Sequence, residues 1–274
     1  MDKPKHRSKL RLALGSSYYR LKRHLLWLRK YPKFAKQYAD LKLEHTCFSH
    51  ATPLIRKLKD VDMHLQYNKV ENLKIAIKKI NDVIIYPGET FSYWKLIGKP
   101  TKRKGYLPGM VLYHGTVREG TGGGLCQLSN LIYWMTLHTP LTILERHRHG
   151  YDVFPDSDRT QPFGSGATCH YNYIDLIIKN DTSQAFQLNL VITDENLEGS
   201  WLSDASLNHS CIIYESDHLF KHESWGKYSR HNILRKKIYD QYNNEIADEY
   251  ITENHAIVLY SPMLETSYEK SSIN

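Results

Sequence analysis

The sequence predicts an α+β protein in which a mostly antiparallel sheet packs with a few helices. Three segments show helical periodicity, and several runs rich in β-branched and aromatic residues alternate with turn signals such as Pro87-Gly88. The chain of 274 residues is long enough to bury a full core. These observations favour one large domain with appendages.

The first helix is predicted from residue 8 to about residue 30, where Pro32 ends it. Its apolar residues recur at spacings of three and four, which places them in one stripe. They are Leu14, Tyr18, Leu21, Leu25 and Leu28.

Two further helices follow the same pattern. One is expected to begin at Asn68, as its N-cap, and to run to Asn81. The other follows the glycine run at residues 122–124, with apolar residues at positions typical of one buried face. They are Leu128, Leu131, Ile132 and Met135.

Short strands are expected between and after these helices. Val83 to Tyr86 and Leu141 to His149 are predicted strands. Residues 167–178 and 185–193 are predicted to pair as a hairpin, and short strands mixed with loops should continue to about residue 260.

The net charge of +8 is concentrated at the N-terminus. Residues 1–36 contain 12 Lys or Arg and one acid, whereas the remainder contains 25 Lys or Arg and 28 acids. A nucleic-acid-binding core would carry its own basic face, so we expect no nucleic-acid partner. The organisation predicted is a basic amphipathic segment at 1–36, a domain at 37–260 and a tail at 261–274.

We expect a cytoplasmic protein. No apolar run approaches the ~20 residues that cross a bilayer, and no apolar stretch typical of a secretory signal follows the basic start. The N-terminal helix could lie on an anionic membrane surface, which would place the protein on the inner membrane face. Alternatively, it packs on its own domain with a solvated basic side.

Cys126 is the predicted centre of any chemistry. It lies where Gly122, Gly123 and Gly124 meet the first turn of a helix, and a helix N-terminus stabilises a thiolate and lowers its pKa. The glycine amides, with Gln127, could hold an oxyanion. Cys47, Cys169 and Cys211 are expected to be free thiols that pack as small apolar residues.

A nucleophilic cysteine needs a base, and the strand after the helix supplies candidates. Alternate residues of a strand share a face, so Glu145, His147 and His149 should point together. We expect His149, rather than His147, to be the base. A zinc site formed by Cys126, His147 and His149 is the alternative, ranked lower because the sequence places no fourth ligand. A third alternative is that the glycine run is only a tight turn and Cys126 only packs. Because the zinc site ranks below thiol chemistry, we predict no bound metal, and we also predict no cofactor.

Four motifs carry a resemblance that extends from about residue 68 to residue 194. They are YPGETFSYWKLIGKPTKRKGYLPGM, GTGGGLCQLSNLIYW, ERHRHGYDVFPDSDRTQPFGSGAT and LIIKNDTSQAFQLNL. Together they resemble the VanW family. The resemblance implies a link to the cell wall and to glycopeptide resistance, and an L,D-transpeptidase role on peptidoglycan for the motif cysteine.

Two positions depart from the family's pattern. Gly150 stands where the family often has Ser, and Gly166 stands where it often has Asp. If that Asp orients the histidine in relatives, Asp152 or Glu145 must substitute here.

The sequence therefore predicts cysteine-dependent acyl transfer, of the L,D-transpeptidase or peptidase type, on a cell-wall peptide or precursor. The alternative is a non-catalytic module that binds a cell-wall precursor or glycopeptide. In that case the glycine run forms a ligand cradle and Cys126 is incidental.

Overall fold

The computed structural model describes residues 8–29, 33–56, 62–113, 115–153 and 161–260. The helices in these ranges are α1 (Lys9–Leu28), α2 (Met63–Ile77), α3 (Tyr93–Ile97) and α4 (Cys126–Leu137). The first seven strands are β1 (Lys33–Phe34), β2 (Gln37–Tyr38), β3 (His45–Pro53), β4 (Val83–Ile85), β5 (Glu89–Ser92), β6 (Pro108–Tyr113) and β7 (Thr116–Thr121). The later strands are β8 (Thr142–Glu145), β9 (Tyr151–Asp152), β10 (Ile177–Lys179), β11 (Phe186–Ile192), β12 (Asn196–Ser203), β13 (His209–His222), β14 (Tyr228–Asp240) and β15 (Glu245–Val258).

The described strands form four sheets. The largest is five-stranded, in the order β2-β4-β11-β12-β3, and two are four-stranded, in the orders β1-β5-β10-β8 and β13-β14-β15-β9. β6 and β7 form a two-stranded ribbon. Among the described strands, two pairs are parallel, β1 with β5 and β15 with β9, and the other pairs are antiparallel. The predicted α+β class with mostly antiparallel sheet is confirmed.

Helix α4 lies in the core, as its apolar pattern predicts. Leu128, Leu131, Ile132 and Met135 are fully buried, and α4 packs against β3 and β12. Gly199 of β12 lies directly beneath the Met135 side chain. The motif helix is therefore held on the five-stranded sheet by close apolar packing.

The second helix begins earlier than its sequence pattern indicates. Asp62 is the N-cap of α2, so the predicted cap at Asn68 is wrong. The Asn68 side chain instead donates a hydrogen bond to the Pro108 carbonyl at 2.8 Å. Side-chain contact with β6, which the local sequence does not reveal, explains why a polar residue lies inside this helix.

Three strand predictions are corrected by the tertiary structure. The strand predicted for 141–149 ends at Glu145, and 167–176 contains no extended strand. β10 and β11 belong to different sheets, so they form no hairpin. The last three strands are long, with 13 or 14 residues each, because each pairs along most of its length with its neighbour.

Helix α1 is confirmed and packs on the domain through its polar side. Arg23 is 7% exposed, and its guanidinium donates to both carboxylate oxygens of Glu145 at 2.5 and 2.7 Å. The Trp27 indole N–H donates to the Ser92 hydroxyl at 3.2 Å.

No described helix is long and apolar enough to cross a membrane. The predicted tail at 261–274 lies outside the described residues.

Candidate functional site

The glycine run is fitted closely between α2 and β6. A Cβ on Gly123 would overlap the backbone of Gly109, and a Cβ on Gly124 would overlap the side chain of Lys69. Gly124 also has a positive φ of 89°, a backbone conformation that residues other than glycine rarely adopt. From α2, the Asn72 amide donates to the Gly123 carbonyl at 3.0 Å. The run therefore meets steric and conformational demands of the fold.

The amides of the glycine run already have acceptors inside the protein. The N–H groups of Gly122, Gly123 and Gly124 donate to the carbonyls of Leu107, Gly120 and Met110 at 2.9 to 3.0 Å. An oxyanion site built from these three amides would require those bonds to break. This geometry does not favour the predicted oxyanion role for the run.

Gln127 is likewise engaged. Its side-chain amide donates to the Thr52 hydroxyl at 3.0 Å and to the Pro53 carbonyl at 2.9 Å. Both acceptors lie at the end of β3. In this arrangement Gln127 ties the first turn of α4 to the edge strand of the five-stranded sheet.

Cys126 occupies the first position of α4; the residue is half-buried, and its thiol points inward. It donates a hydrogen bond to the Cys169 carbonyl at 3.5 Å. Burial raises the pKa of the Cys126 thiol above its ordinary value. The expectation of a lowered pKa is therefore wrong, because desolvation outweighs the effect of the helix N-terminus.

One other thiol, that of Cys169, and the side chain of Tyr93 lie buried close to Cys126. The Tyr93 hydroxyl donates to the Leu125 carbonyl at 2.9 Å, and Tyr93 is fully buried. Burial, with smaller contributions from nearby Cys169 and Cys126, raises the pKa of Tyr93 well above its usual value. Cys169 is 8% exposed and packs in the core, as predicted. The surroundings of Cys126 favour neutral groups.

His147 belongs to a polar cluster, which also contains Arg23 of α1. The His147 Nε2 atom lies 2.8 Å from Glu145 Oε1, and Arg23 holds the same carboxylate. Burial raises the pKa of Glu145, but hydrogen bonds from His147 and Arg23 outweigh that effect and leave it below its ordinary value. Glu145 therefore orients His147 in the manner that a catalytic base requires.

The predicted base His149 has different surroundings. Burial, and then the charge of Arg148, lower the pKa of His149 and favour its neutral form. Asp152, the other predicted orienting carboxylate, accepts from the Arg230 guanidinium at 3.2 Å and from the Tyr260 hydroxyl at 2.9 Å. Of the two histidines, His147 is the one that the geometry pairs with a carboxylate.

Sequence reasoning missed Asp175, which is completely buried beside this cluster. Its carboxylate accepts from the Ser92 hydroxyl at 2.6 Å and from the Trp94 amide at 3.0 Å. Burial raises its pKa to about 7, while those hydrogen bonds and Arg23 act in the opposite direction. A lone Asp before an apolar run gives no sequence signal of such burial.

Sequence reasoning also missed Lys69, which is 6% exposed beneath Gly124. Its ammonium donates to the Gln66 side chain at 2.8 Å. Burial, and then the charge of Arg56, lower the pKa of Lys69 to about 8. The spacing of Lys69 on α2 could have marked it as facing the core, but its charge argued for the surface.

No group of three or more His, Cys, Asp or Glu within the described ranges could hold a metal ion. The zinc alternative for Cys126, His147 and His149 therefore has no support in this geometry. The closest carboxylate partner of His147 is Glu145, and the negative charge of that carboxylate is balanced by the Arg23 guanidinium.

An open cavity of about 470 Å³ lies on the five-stranded sheet, next to the end of β3 that Gln127 holds. Its volume is within the range of small-ligand sites. The lining mixes hydroxyl, amide, carboxylate and aliphatic groups. The lining residues include Ser49, His50, Asn189, Val191, Glu198 and Ser200.

Comparison with known proteins assigns the chain to a family. The family model described as VanW like protein matches residues 68–202. Vancomycin B-type resistance protein VanW from Enterococcus faecalis is 34% identical over 205 residues, which are 75% of this chain and 74% of that relative. Uncharacterized protein YoaR from Bacillus subtilis is 31% identical over 100 residues, or 35% of this chain and 33% of that protein. No solved structure matches. The matched region contains the glycine run, Cys126 and both histidines, and the chain belongs to the VanW family, which is linked to vancomycin resistance.

Proposed function

We propose that this protein contributes to glycopeptide resistance as a module that binds a cell-wall precursor peptide. The relative named for vancomycin B-type resistance supports the setting. One observation carries the choice of binding over catalysis: the thiol of the half-buried Cys126 points inward and donates its hydrogen to the Cys169 carbonyl. A protonated thiol is a poor nucleophile, so the geometry favours a structural cysteine.

The cavity on the five-stranded sheet is the proposed peptide site. A cell-wall peptide carries amides, carboxylates and methyl groups, and the cavity offers partners for each of these, such as the Asn189 amide, the Ser200 hydroxyl and Val191. The Asn189 amide already donates to the Ser200 hydroxyl at 3.1 Å, which fixes both groups. Fixed polar groups in a concave surface give orientation and specificity.

The motif then has a supporting role. Gln127 anchors β3 at Thr52 and Pro53, directly after the cavity residues Ser49 and His50. The glycine run lets the start of α4 approach β6 closely enough for this anchor to form. In this proposal the motif positions a binding surface and carries no chemistry of its own.

A titration with a labelled synthetic cell-wall stem peptide tests the proposal. We expect saturable binding, and we expect Ser49→Trp to weaken it at least tenfold by filling the cavity. Ser210→Trp is the matched control, because Ser210 is also an exposed strand serine but lies on β13. Cys126→Ala should bind like wild type. Absence of saturable binding, or equal loss in both tryptophan variants, would contradict the proposal.

Cysteine-dependent acyl transfer is the second candidate, and one observation favours it. The His147 imidazole is held by Glu145, and the backbone carbonyl of His147 accepts from the Thr168 amide at 2.8 Å. Thr168 is followed by Cys169, whose carbonyl accepts from the Cys126 thiol. The thiol would have to turn away from the Cys169 carbonyl before His147 could act as its base. Product formation from the stem peptide by wild type, lost in Cys126→Ser, would favour this candidate.

A further inference from the structure

Helix α1 has one face in contact with the domain and an opposite face that is exposed. The side chains or backbone of Ser16, Arg20, Arg23 and Trp27 make hydrogen bonds to the domain. Arg23 donates to Glu145, and Trp27 packs against the hydrophobic core. At 100° per residue these four positions fall within about 60° of one another around the helix axis, so they form one docked face.

The opposite face is apolar and exposed. We name it the outer stripe: Leu10, Leu14, Tyr18, Leu21, Leu25 and Leu28. These side chains are between 53% and 80% exposed. Around the helix axis the outer stripe spans about 80°, and its centre lies about 150° from the centre of the docked face. The stripe therefore points away from the domain.

Exposed apolar residues in such number on one helix face mark an interaction surface. The helix extends over 20 residues, so the stripe is about 30 Å long. Scattered single leucines on a surface need no explanation, but a continuous stripe opposite a docked face does. Packing on its own domain, one of the two alternatives for this helix, accounts for the docked face and leaves the stripe unexplained.

Charge identifies the occupant. Arg11, Lys22 and Arg29 lie along one edge of the stripe, about 20° to 40° beyond Tyr18 around the axis. Residues 1–36 contain 12 basic residues and one acid. Anionic headgroups attract such a segment, while Lys and Arg side chains beside an apolar stripe can reach those headgroups. A second copy would bring two strongly basic segments together, and their repulsion opposes pairing through the stripe.

We propose that the outer stripe docks on an anionic lipid surface, with α1 lying in the interface plane and the docked face holding the domain against it. The leucines enter the boundary between headgroups and acyl chains, and Tyr18 lies at the headgroup level. This inference does not depend on the peptide-binding proposal. It concerns where the protein is held, whereas the cavity concerns what it binds.

Co-sedimentation of the full chain with vesicles tests the inference. The anionic vesicles contain phosphatidylcholine with about 30% phosphatidylglycerol, which makes them about as anionic as cytoplasmic leaflets. Vesicles of phosphatidylcholine alone are the neutral comparison. We expect binding to the anionic vesicles that weakens at least tenfold on neutral vesicles or at high salt. The triple variant Leu14→Gln, Leu21→Gln, Leu25→Gln should also lose at least tenfold.

A matched triple variant controls for the loss of exposed apolar residues. Leu41→Gln, Leu219→Gln and Ile246→Gln change side chains that are 83%, 47% and 61% exposed and lie outside α1. This variant should bind anionic vesicles like wild type. Equal loss in both triple variants, or unchanged binding by the α1 variant, would overturn the proposal.

Sedimentation velocity without lipid distinguishes a second copy as occupant. The proposal predicts that wild type and the α1 triple variant sediment as the same species across a concentration series. A concentration-dependent dimer that the α1 substitutions abolish would overturn the lipid assignment. Circular dichroism of each variant verifies that the fold is retained before binding is compared.

Discussion

Arg23 is the residue on which attachment of α1 to the domain depends most. Its guanidinium donates to Glu145 at 2.5 and 2.7 Å and to the Tyr173 carbonyl at 3.1 Å, and it lies 3.8 Å from the Asp175 carboxylate. Arg23→Ala removes the cation and leaves these carboxylates without it. We therefore expect a large loss of stability, concentrated where α1 meets the domain.

The size of the loss can be estimated from the burial of the partners. Breaking a buried ion pair by removing one member costs roughly 3–5 kcal/mol. Glu145 is 23% exposed and keeps its hydrogen bonds from His147 and the Asp175 amide, which reduces the penalty. We expect Arg23→Ala to lower the free energy of unfolding by about 2–3 kcal/mol, at or just below the lower end of that range.

Urea denaturation followed by circular dichroism measures the loss, and the midpoint should fall by about 1 M. Lys22→Ala is the control, because Lys22 is an exposed basic residue on the same helix and its change should cost less than about 0.5 kcal/mol. Hydrogen exchange should show faster exchange in α1 of the Arg23 variant. Equal stability of the two variants would refute the role assigned to Arg23.

Two further predictions concern the core of the site. Gly123→Ala should destabilise by about 3 kcal/mol, because its Cβ overlaps the Gly109 backbone, whereas Gly150→Ala, with open space around it, should stay near wild type in thermal melts. The pKa of Asp175 is raised from 3.8 to about 7, so the stability it contributes is present below pH 4 and is lost as the pH rises toward 7. In paired urea titrations the difference between wild type and Asp175→Asn should change by about 1 kcal/mol per pH unit across that window, and a constant difference would contradict the assignment.

Local patterns predicted the helices well and the long-range pairing poorly. The spacing of Leu128, Leu131 and Met135 was sufficient for α4, because a buried helix face repeats every three or four residues. The strand predicted through His149 stops at Glu145, where β8 leaves its partner β10 after a register shift between Ile177 and Ile178. Sequence periodicity cannot reveal where a partner strand ends.

The candidate site shows the same contrast between local features, which the sequence predicts, and long-range contacts, which it does not. The position of Cys126 at a helix start was predictable, but the sign of its pKa shift was not, because desolvation of its thiol beside Tyr93 and Cys169 depends on tertiary packing. Glu145 and His147 do come together, as the sequence suggested. Arg23, which completes that cluster, is 122 residues from Glu145 in the chain, so no local pattern connects the two.

The rate of alkylation of Cys126 as a function of pH tests the central claim most directly. Iodoacetamide labelling from pH 5 to pH 9.5, with each cysteine followed by peptide mass spectrometry, separates Cys126 from Cys47, Cys169 and Cys211. A half-buried thiol with a raised pKa, turned toward the Cys169 carbonyl, should label slowly at neutral pH and should react faster only above the ordinary thiol value of about 8.5. His147→Ala and His149→Ala should leave that profile unchanged. Rapid labelling of Cys126 below pH 7.5, slowed by His147→Ala, would contradict a structural cysteine and establish the thiolate that catalysis requires.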